Sequence, residues 1–140
     1  MVGYILTGHG QFSTGLKSAV DMIATPQENF EAVPFTEEAA GTYGDTLKAA
    51  IAAMREKTDG VVVFVDLVGG TPFNQSMIAS STIDNVKVVA GTNLPMLIDV
   101  MMSRTDSSTT DELVAEAVEV GKEGVATMAL EAGADDEDDE

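Results

Sequence analysis

The sequence predicts an α/β domain: a doubly wound, mostly parallel sheet of four strands, with one more short strand near the C-terminus. Apolar runs of strand length alternate with segments of helical period along the chain. The run "GVVVFVD" (60–66) is unbroken β-branched and aromatic sequence, the kind buried on both faces of a parallel sheet. Polar, glycine-punctuated loops, "TGHGQ", "DLVGGTP" and "GTNLP", follow the first, third and fourth runs. Alternation of this kind implies right-handed crossovers, and it gathers ligands and chemistry at the carboxyl ends of the strands.

Each element has a local reason. "VGYILT" (2–7) is an apolar strand ending at Gly8, after which Ser13 or Thr14 is expected to cap a helix carrying Leu16, Val20 and Ile23 on one face. "NFEAVPF" (29–35) is a weaker strand placed near an edge, because Pro34 cannot donate to a ladder. "DTLKAAIAAMREKT" (45–58) is rich in helix formers, with Leu47, Ile51 and Met54 at helical spacing. The run 60–66 should be central. In "LVGGTPFNQSMIASS" (67–81), Thr71 stands where an N-cap belongs and Pro72 at the first helical position. "VKVVA" (86–90) is a fourth strand, and Asn93 and Pro95 then serve as turn and helix start. Thr109 and Glu112 form a capping box for the last helix. Residues 124–130, "GVATMAL", read as a short final strand. The domain is expected to span 1–130, with 131–140 an acidic, disordered tail.

Composition narrows the function. Twenty-four acidic against seven basic residues give a net charge of −17, which argues against nucleic acid; it would steer a basic protein partner, but plain solubility is the better explanation of such acidity. No cysteine is present, so thiol nucleophiles, disulfides and thiolate metal sites are excluded. The start "MVGYILTGHG" lacks a basic leader and no run reaches membrane-spanning length, so a cytoplasmic protein without direct membrane insertion is expected. One histidine with dispersed carboxylates lacks metal-ligand spacing, and neither GxGxxG nor GxxxxGK[ST] occurs. No metal or cofactor is therefore expected. Met96, Met101 and Met102 read as core or interface filler.

The candidate chemistry lies in the loops. His9 follows the first strand and Asp66 ends the third. If those strands are neighbours, Asp66 can hold one ring nitrogen of His9 and leave the other as a nucleophile. Imidazole, with an ordinary pKa near 6.5, is largely neutral at cytoplasmic pH. Gly8, Gly10, Gly69, Gly70 and Thr71, beside helix starts, could bind an incoming phosphoryl group through backbone N–H groups. Bland readings stand beside these. His9 can be a solvated loop residue, Asp66 a turn cap, Thr71 an N-cap, and the glycines mere turn formers.

"GHG" after the first strand, "VDLVGGTPFN" after the third and "AGTNLPML" after the fourth together resemble the IIA component of the mannose–fructose–sorbose family of the bacterial sugar phosphotransferase system. The likeness runs from Val2 to Leu130. It implies a cytoplasmic phosphocarrier that takes a phosphoryl group from phospho-HPr and passes it to a IIB component during sugar uptake. The family's phosphorylated histidine matches His9 and its orienting aspartate Asp66, while Thr71 stands where many members have serine. The resemblance also implies a homodimer in which residues 124–130 are exchanged between subunits, and a free-standing IIA. Val68 replaces a tryptophan familiar in some members. Two other readings compete: a receiver-like signalling domain phosphorylated on Asp66 with bound Mg²⁺, which needs carboxylates where this chain has "TGHG", and a non-catalytic α/β binding module.

Overall fold

The computed structural model describes residues 1–131. Nine elements alternate in order: β1 (Gly3–His9), α1 (Phe12–Ala24), β2 (Phe30–Phe35), α2 (Tyr43–Glu56), β3 (Val61–Val65), α3 (Gly70–Thr82), β4 (Val86–Val89), α4 (Leu94–Ser103) and α5 (Thr110–Glu123). The four strands form one sheet in the order β2-β1-β3-β4, and every strand pair is parallel. Edge placement of β2 and a central β3 agree with the sequence reading.

Period-two alternation sends successive side chains to opposite faces, and in β1 and β3 both faces are apolar. Tyr4, Leu6, Val62 and Phe64 point into a core with Val20, Leu97, Val100 and Leu113, under α1, α4 and α5. Ile5, Val61, Val63 and Val65 point the other way, into a core with Leu47, Ile51 and Met54. All five residues of β3 are fully buried. At ~1.5–3 kcal/mol for each large side chain buried, this central strand anchors both layers.

Arg104, after α4, binds the two ends of the chain's path together. Its guanidinium lies over the Tyr4 ring, 4.5 Å from the centroid, and donates to the backbone oxygens of Val2 (2.8 Å) and Glu28 (2.9 Å). The edge strand β2 bonds to β1 through alternate residues. Tyr4 N–H donates to Asn29 O and Gly10 N–H to Phe35 O, at 2.9 and 2.8 Å. By the same alternation, the backbone groups of Phe30, Ala32 and Pro34 face away from the sheet.

Several helix starts differ from expectation. α1 begins at Phe12 with Gln11 as N-cap, so Ser13 is buried in the first turn, and Thr14 bonds back to the Gln11 backbone and side chain. α3 begins at Gly70 with Gly69 as N-cap, which puts Thr71 and Pro72 inside the first turn and leaves no side-chain cap. The cause is the glycine pair, whose φ angles of 90° and 82° turn the chain into the helix before Thr71 is reached. Asn93 does cap α4, accepting from Met96 N–H at 3.2 Å, with proline in the first turn. The Thr109–Glu112 capping box is present.

Ile23, placed on the apolar face of its helix by periodicity, is 59 % exposed, and Met102, read as core or interface filler, lies outside the core at 70 % exposed. Both sit near helix ends, where they border a cleft with Leu94, Ile98 and Val120. Residues 125–130 join no strand of this sheet, and Val125, Met128 and Leu130 are exposed. The predicted final strand is therefore not formed within the single chain. Nearly all of the predicted acidic tail, 132–140, lies outside the described residues.

Candidate functional site

Strand order decides where the chemistry can be. Because β1 lies between β2 and β3, the residue ending β1 is flanked by the carboxyl ends of both neighbours. His9 ends β1, Asp66 directly follows β3, and Phe35 ends β2 in register with His9.

Asp66 grips His9 twice with one oxygen. The His9 backbone N–H donates to Asp66 Oδ2 at 2.9 Å, and ring Nδ1 lies 2.8 Å from the same oxygen. Asp66 Oδ1 accepts from Leu67 N–H at 2.9 Å, so Asp66 also caps its own turn. Burial works to raise the Asp66 pKa, but the hydrogen bonds from His9 and Leu67 and the His9 charge outweigh it and hold the carboxyl below its usual range. An ionised carboxylate only accepts hydrogen bonds. The proton between them therefore sits on Nδ1, and in the neutral ring the lone pair is on Nε2. The His9 side chain is 47 % exposed against 10 % for Asp66, so the free nitrogen is reachable while its partner is enclosed.

The glycines divide into different roles. Gly8 is buried, and a Cβ there would meet Asp66 Cγ at 2.9 Å and the Phe12 ring at 2.8 Å. Its lack of a side chain is what lets Asp66 come close. Gly10 N–H is already engaged by Phe35 O. Gly70 lies against the free side of the imidazole: a Cβ there would stand 3.2 Å from His9 Cε1 and 3.4 Å from Nε2. Nε2 therefore faces the first turn of α3, where Gly70 and Thr71 carry N–H groups that a helix leaves without internal partners. Thr71 is exposed on that turn. The third loop is not drawn in: Asn93 spends its side chain capping α4 and donating to Gly121 O at 2.9 Å.

Sequence reasoning missed the aromatic side of the site. The Phe35 ring stands edge-to-face with the His9 imidazole, centroids 5.7 Å apart and planes at 79°. Phe35 packs on Tyr43 at 4.7 Å, and the Tyr43 hydroxyl meets the Thr7 hydroxyl. A cleft of about 500 Å³ opens beside His9, lined by Phe35, Thr36, Glu37 and Glu38. The signal was available in part, since Phe35 closes an edge strand, but its approach to His9 depends on strand order. Among the described residues, no group of three or more His, Asp or Glu side chains is placed to hold a metal ion. No described helix is long and apolar enough to cross a membrane.

Several known proteins similar to this chain share one family. The mannose-specific EIIAB component of the phosphotransferase system of Escherichia coli is 35 % identical over 128 residues, 91 % of this chain. The chain spans only 39 % of that relative's length. The fructose-specific EIIA component of Bacillus subtilis is 33 % identical over 105 residues, covering 74 % of this chain and 71 % of that protein. Among solved structures, an EIIA component from Streptococcus agalactiae superposes with a TM-score of 0.80 at 32 % identity, covering 91 % of this chain and 97 % of the other. A mannose/sorbose-specific IIA subunit from Enterococcus faecalis gives 0.78 at 31 %, covering 92 % and 96 %. The family described as EIIA-man, PTS system fructose IIA component, matches residues 3–118. The chain belongs to this family of IIA components of the sugar phosphotransferase system.

Proposed function

We propose that the protein is a phosphocarrier: His9 Nε2 accepts a phosphoryl group from the phosphohistidine of HPr and passes it to a IIB component, in the cytoplasm. The observation that carries this reading is the His9–Asp66 pair, in which a largely enclosed carboxylate holds the Nδ1 proton while Nε2 stays open towards a helix start.

The step balances simply. The Nε2 lone pair attacks phosphorus, the bond from phosphorus to the donor's ring nitrogen breaks, and its electron pair stays with the donor. The Nδ1 proton remains, so the His9 ring becomes cationic, and Asp66 stabilises that charge. The three equatorial phosphoryl oxygens need donors already in place, and the N–H groups of Gly70 and Thr71 at the positive end of α3 are suited to this. Gly69 shapes that turn. Gly8 and Gly10 act on the acceptor's position. No metal or other cofactor takes part. Glu37 and Glu38 at the cleft rim suit a basic donor protein.

The receiver-like alternative is disfavoured by the same geometry, because Asp66 is spent on three hydrogen bonds and its neighbour is an imidazole. Homodimerisation belongs to the proposal. The apolar segment 124–130 lies exposed after α5, and the outer edge of β4 is open to receive a strand from a second copy.

The test uses phosphoenolpyruvate, Enzyme I and HPr, with intact mass as the readout. One phosphoryl mass, lost in acid and kept in alkali, is expected, and His9→Ala should take none. Normal labelling of His9→Ala, or a label with acyl-phosphate lability, overturns the assignment.

A further inference from the structure

Hydrogen bonding to Asp66 fixes which nitrogen of His9 carries the proton, but one contact at Nδ1 leaves the ring able to swing about that contact. In-line phosphoryl transfer needs the direction of the Nε2 lone pair fixed as well. On the side flanked by β3, Gly70 offers only backbone. On the side flanked by β2, the Phe35 ring meets the imidazole edge-to-face at 5.7 Å and 79°, an arrangement that aromatic quadrupoles favour.

Phe35 is itself held. Its ring rests on Tyr43, tilted by 59°. Thr7 donates its hydroxyl proton to Val33 O at 2.6 Å, so the hydrogen bond between Thr7 and Tyr43 must be donated by Tyr43. Burial pushes the Tyr43 phenol up to about 12, with the Thr7 hydrogen bond working against the rise and the Asp66 charge adding to it, so the phenol keeps that proton. The Phe35 backbone also takes part, because its carbonyl accepts from Gly10 N–H, the residue after His9. From the buried strand outwards the order is Thr7, Tyr43, Phe35, His9.

We propose that Phe35 is a positioning residue for phosphoryl transfer: braced by Tyr43 and the Thr7 hydroxyl, its ring stops the His9 imidazole from pivoting and keeps Nε2 aimed at the first turn of α3. This rests on the phosphocarrier reading for its kinetic consequence, while the restraint on the ring is a property of the unphosphorylated protein.

Because the chain has one histidine, ¹⁵N-histidine labelling reports on His9 alone. In the parent protein, imidazole spectra should show a single neutral tautomer with the proton on Nδ1. In Phe35→Leu the ring signals should broaden or average, and kcat with phospho-HPr should fall about tenfold or more while KM changes less than about twofold. Phe35→Tyr, which keeps the ring, should restore both. If Phe35→Leu does not fold, Tyr43→Phe serves instead: it keeps the stacked ring, loses its anchor, and should show the same changes to a smaller degree. Unchanged imidazole signals with unchanged kcat overturn the proposal, as does a rise in KM at constant kcat, which would make Phe35 a docking contact. If the parent protein accepts no phosphoryl group, the phosphocarrier reading fails, and the ¹⁵N comparison still decides whether Phe35 restrains the ring.

Discussion

Replacing Asp66 by asparagine keeps the shape of the side chain and removes its charge, and the hydrogen bonds around it allow the outcome to be worked through. The carboxylate uses both oxygens: Oδ2 accepts from the His9 backbone and ring, Oδ1 from Leu67 N–H. Asparagine has one acceptor oxygen. Turned towards His9, it sets its NH₂ against Leu67 N–H; turned the other way, it sets NH₂ against the His9 N–H and donates to Nδ1. The first arrangement strands a donor at a cost of about 1–3 kcal/mol. The second moves the ring proton to Nε2 and removes the nucleophile. Loss of the charge also leaves the cationic phosphohistidine unsupported. Two unit charges 4 Å apart attract by about 1 kcal/mol in water and about 4 kcal/mol at an effective dielectric of 20. A half-exposed imidazole against an enclosed carboxylate lies between these limits. At 1.36 kcal/mol per decade the charge term alone slows transfer by roughly 5- to 900-fold, and the tautomer change adds to it. Rapid-quench measurement of labelling from phospho-HPr, with circular dichroism to show that the fold persists, is the assay. A rate within twofold of the parent in a folded Asp66→Asn protein would refute the role given to the carboxylate.

Gly70→Ala should impair both folding and chemistry. A φ of 82° costs a non-glycine residue about 1–2 kcal/mol, a loss of roughly 3–8 °C in melting temperature for a domain of this size, and the new methyl would crowd Nε2. Phosphoryl acceptance at 25 °C should fall at least about tenfold, the usual scale for a misplaced acceptor. Asp99 on α4 neighbours Glu116 on α5, and the interaction of the two carboxyls, together with burial, raises the Asp99 pKa from 3.8 to about 6. A raised carboxyl pKa means that the folded state holds its proton more tightly, so stability falls as pH rises from about 4 to about 6 and stays lower above. Glu116, lowered by its interaction with Asp99 and by the Ser103 hydrogen bond, acts at more acid pH with the opposite sign. Melting curves of Asp99→Asn should therefore be flatter between pH 4 and 6 and lie a few degrees above the parent at pH 8; a parallel curve would count against the raised Asp99 pKa. Sedimentation should show a dimer that Met128→Asp weakens at least about tenfold in Kd, the effect of setting a charge into an apolar contact, and a stable monomer for the parent protein would overturn the dimer.

The sequence was most readable where the physics is local. The Thr109–Glu112 box spans one helical turn, and it forms as expected. The meeting of His9 with Asp66 was also legible, since both follow strong strand signals and needed only neighbouring strands. Helix starts at Gln11 and Gly69 were misread because a glycine turn, and not a side-chain cap, sets where those helices begin. Phe35 was missed for a different reason: its partner lies 26 positions away, and only the order β2-β1-β3 brings the two together. The fate of residues 124–130 was beyond local reading altogether, because a strand with no edge of its own to pair with says nothing about which edge it will meet.

The outward-facing backbone of β2 bears on how large an assembly this chain can build. Pro34 contributes no N–H to that outer row, and its ring stands where an added strand would have to lie. The sheet is thus sealed on one flank and open only along β4. If each copy lays its 124–130 segment along the partner's β4, both open edges are covered at once, and growth by edge addition stops at two copies. Proline at position 34 thus acts as a terminator of edge addition along β2, in a chain whose exposed segment after α5 carries Val125, Met128 and Leu130.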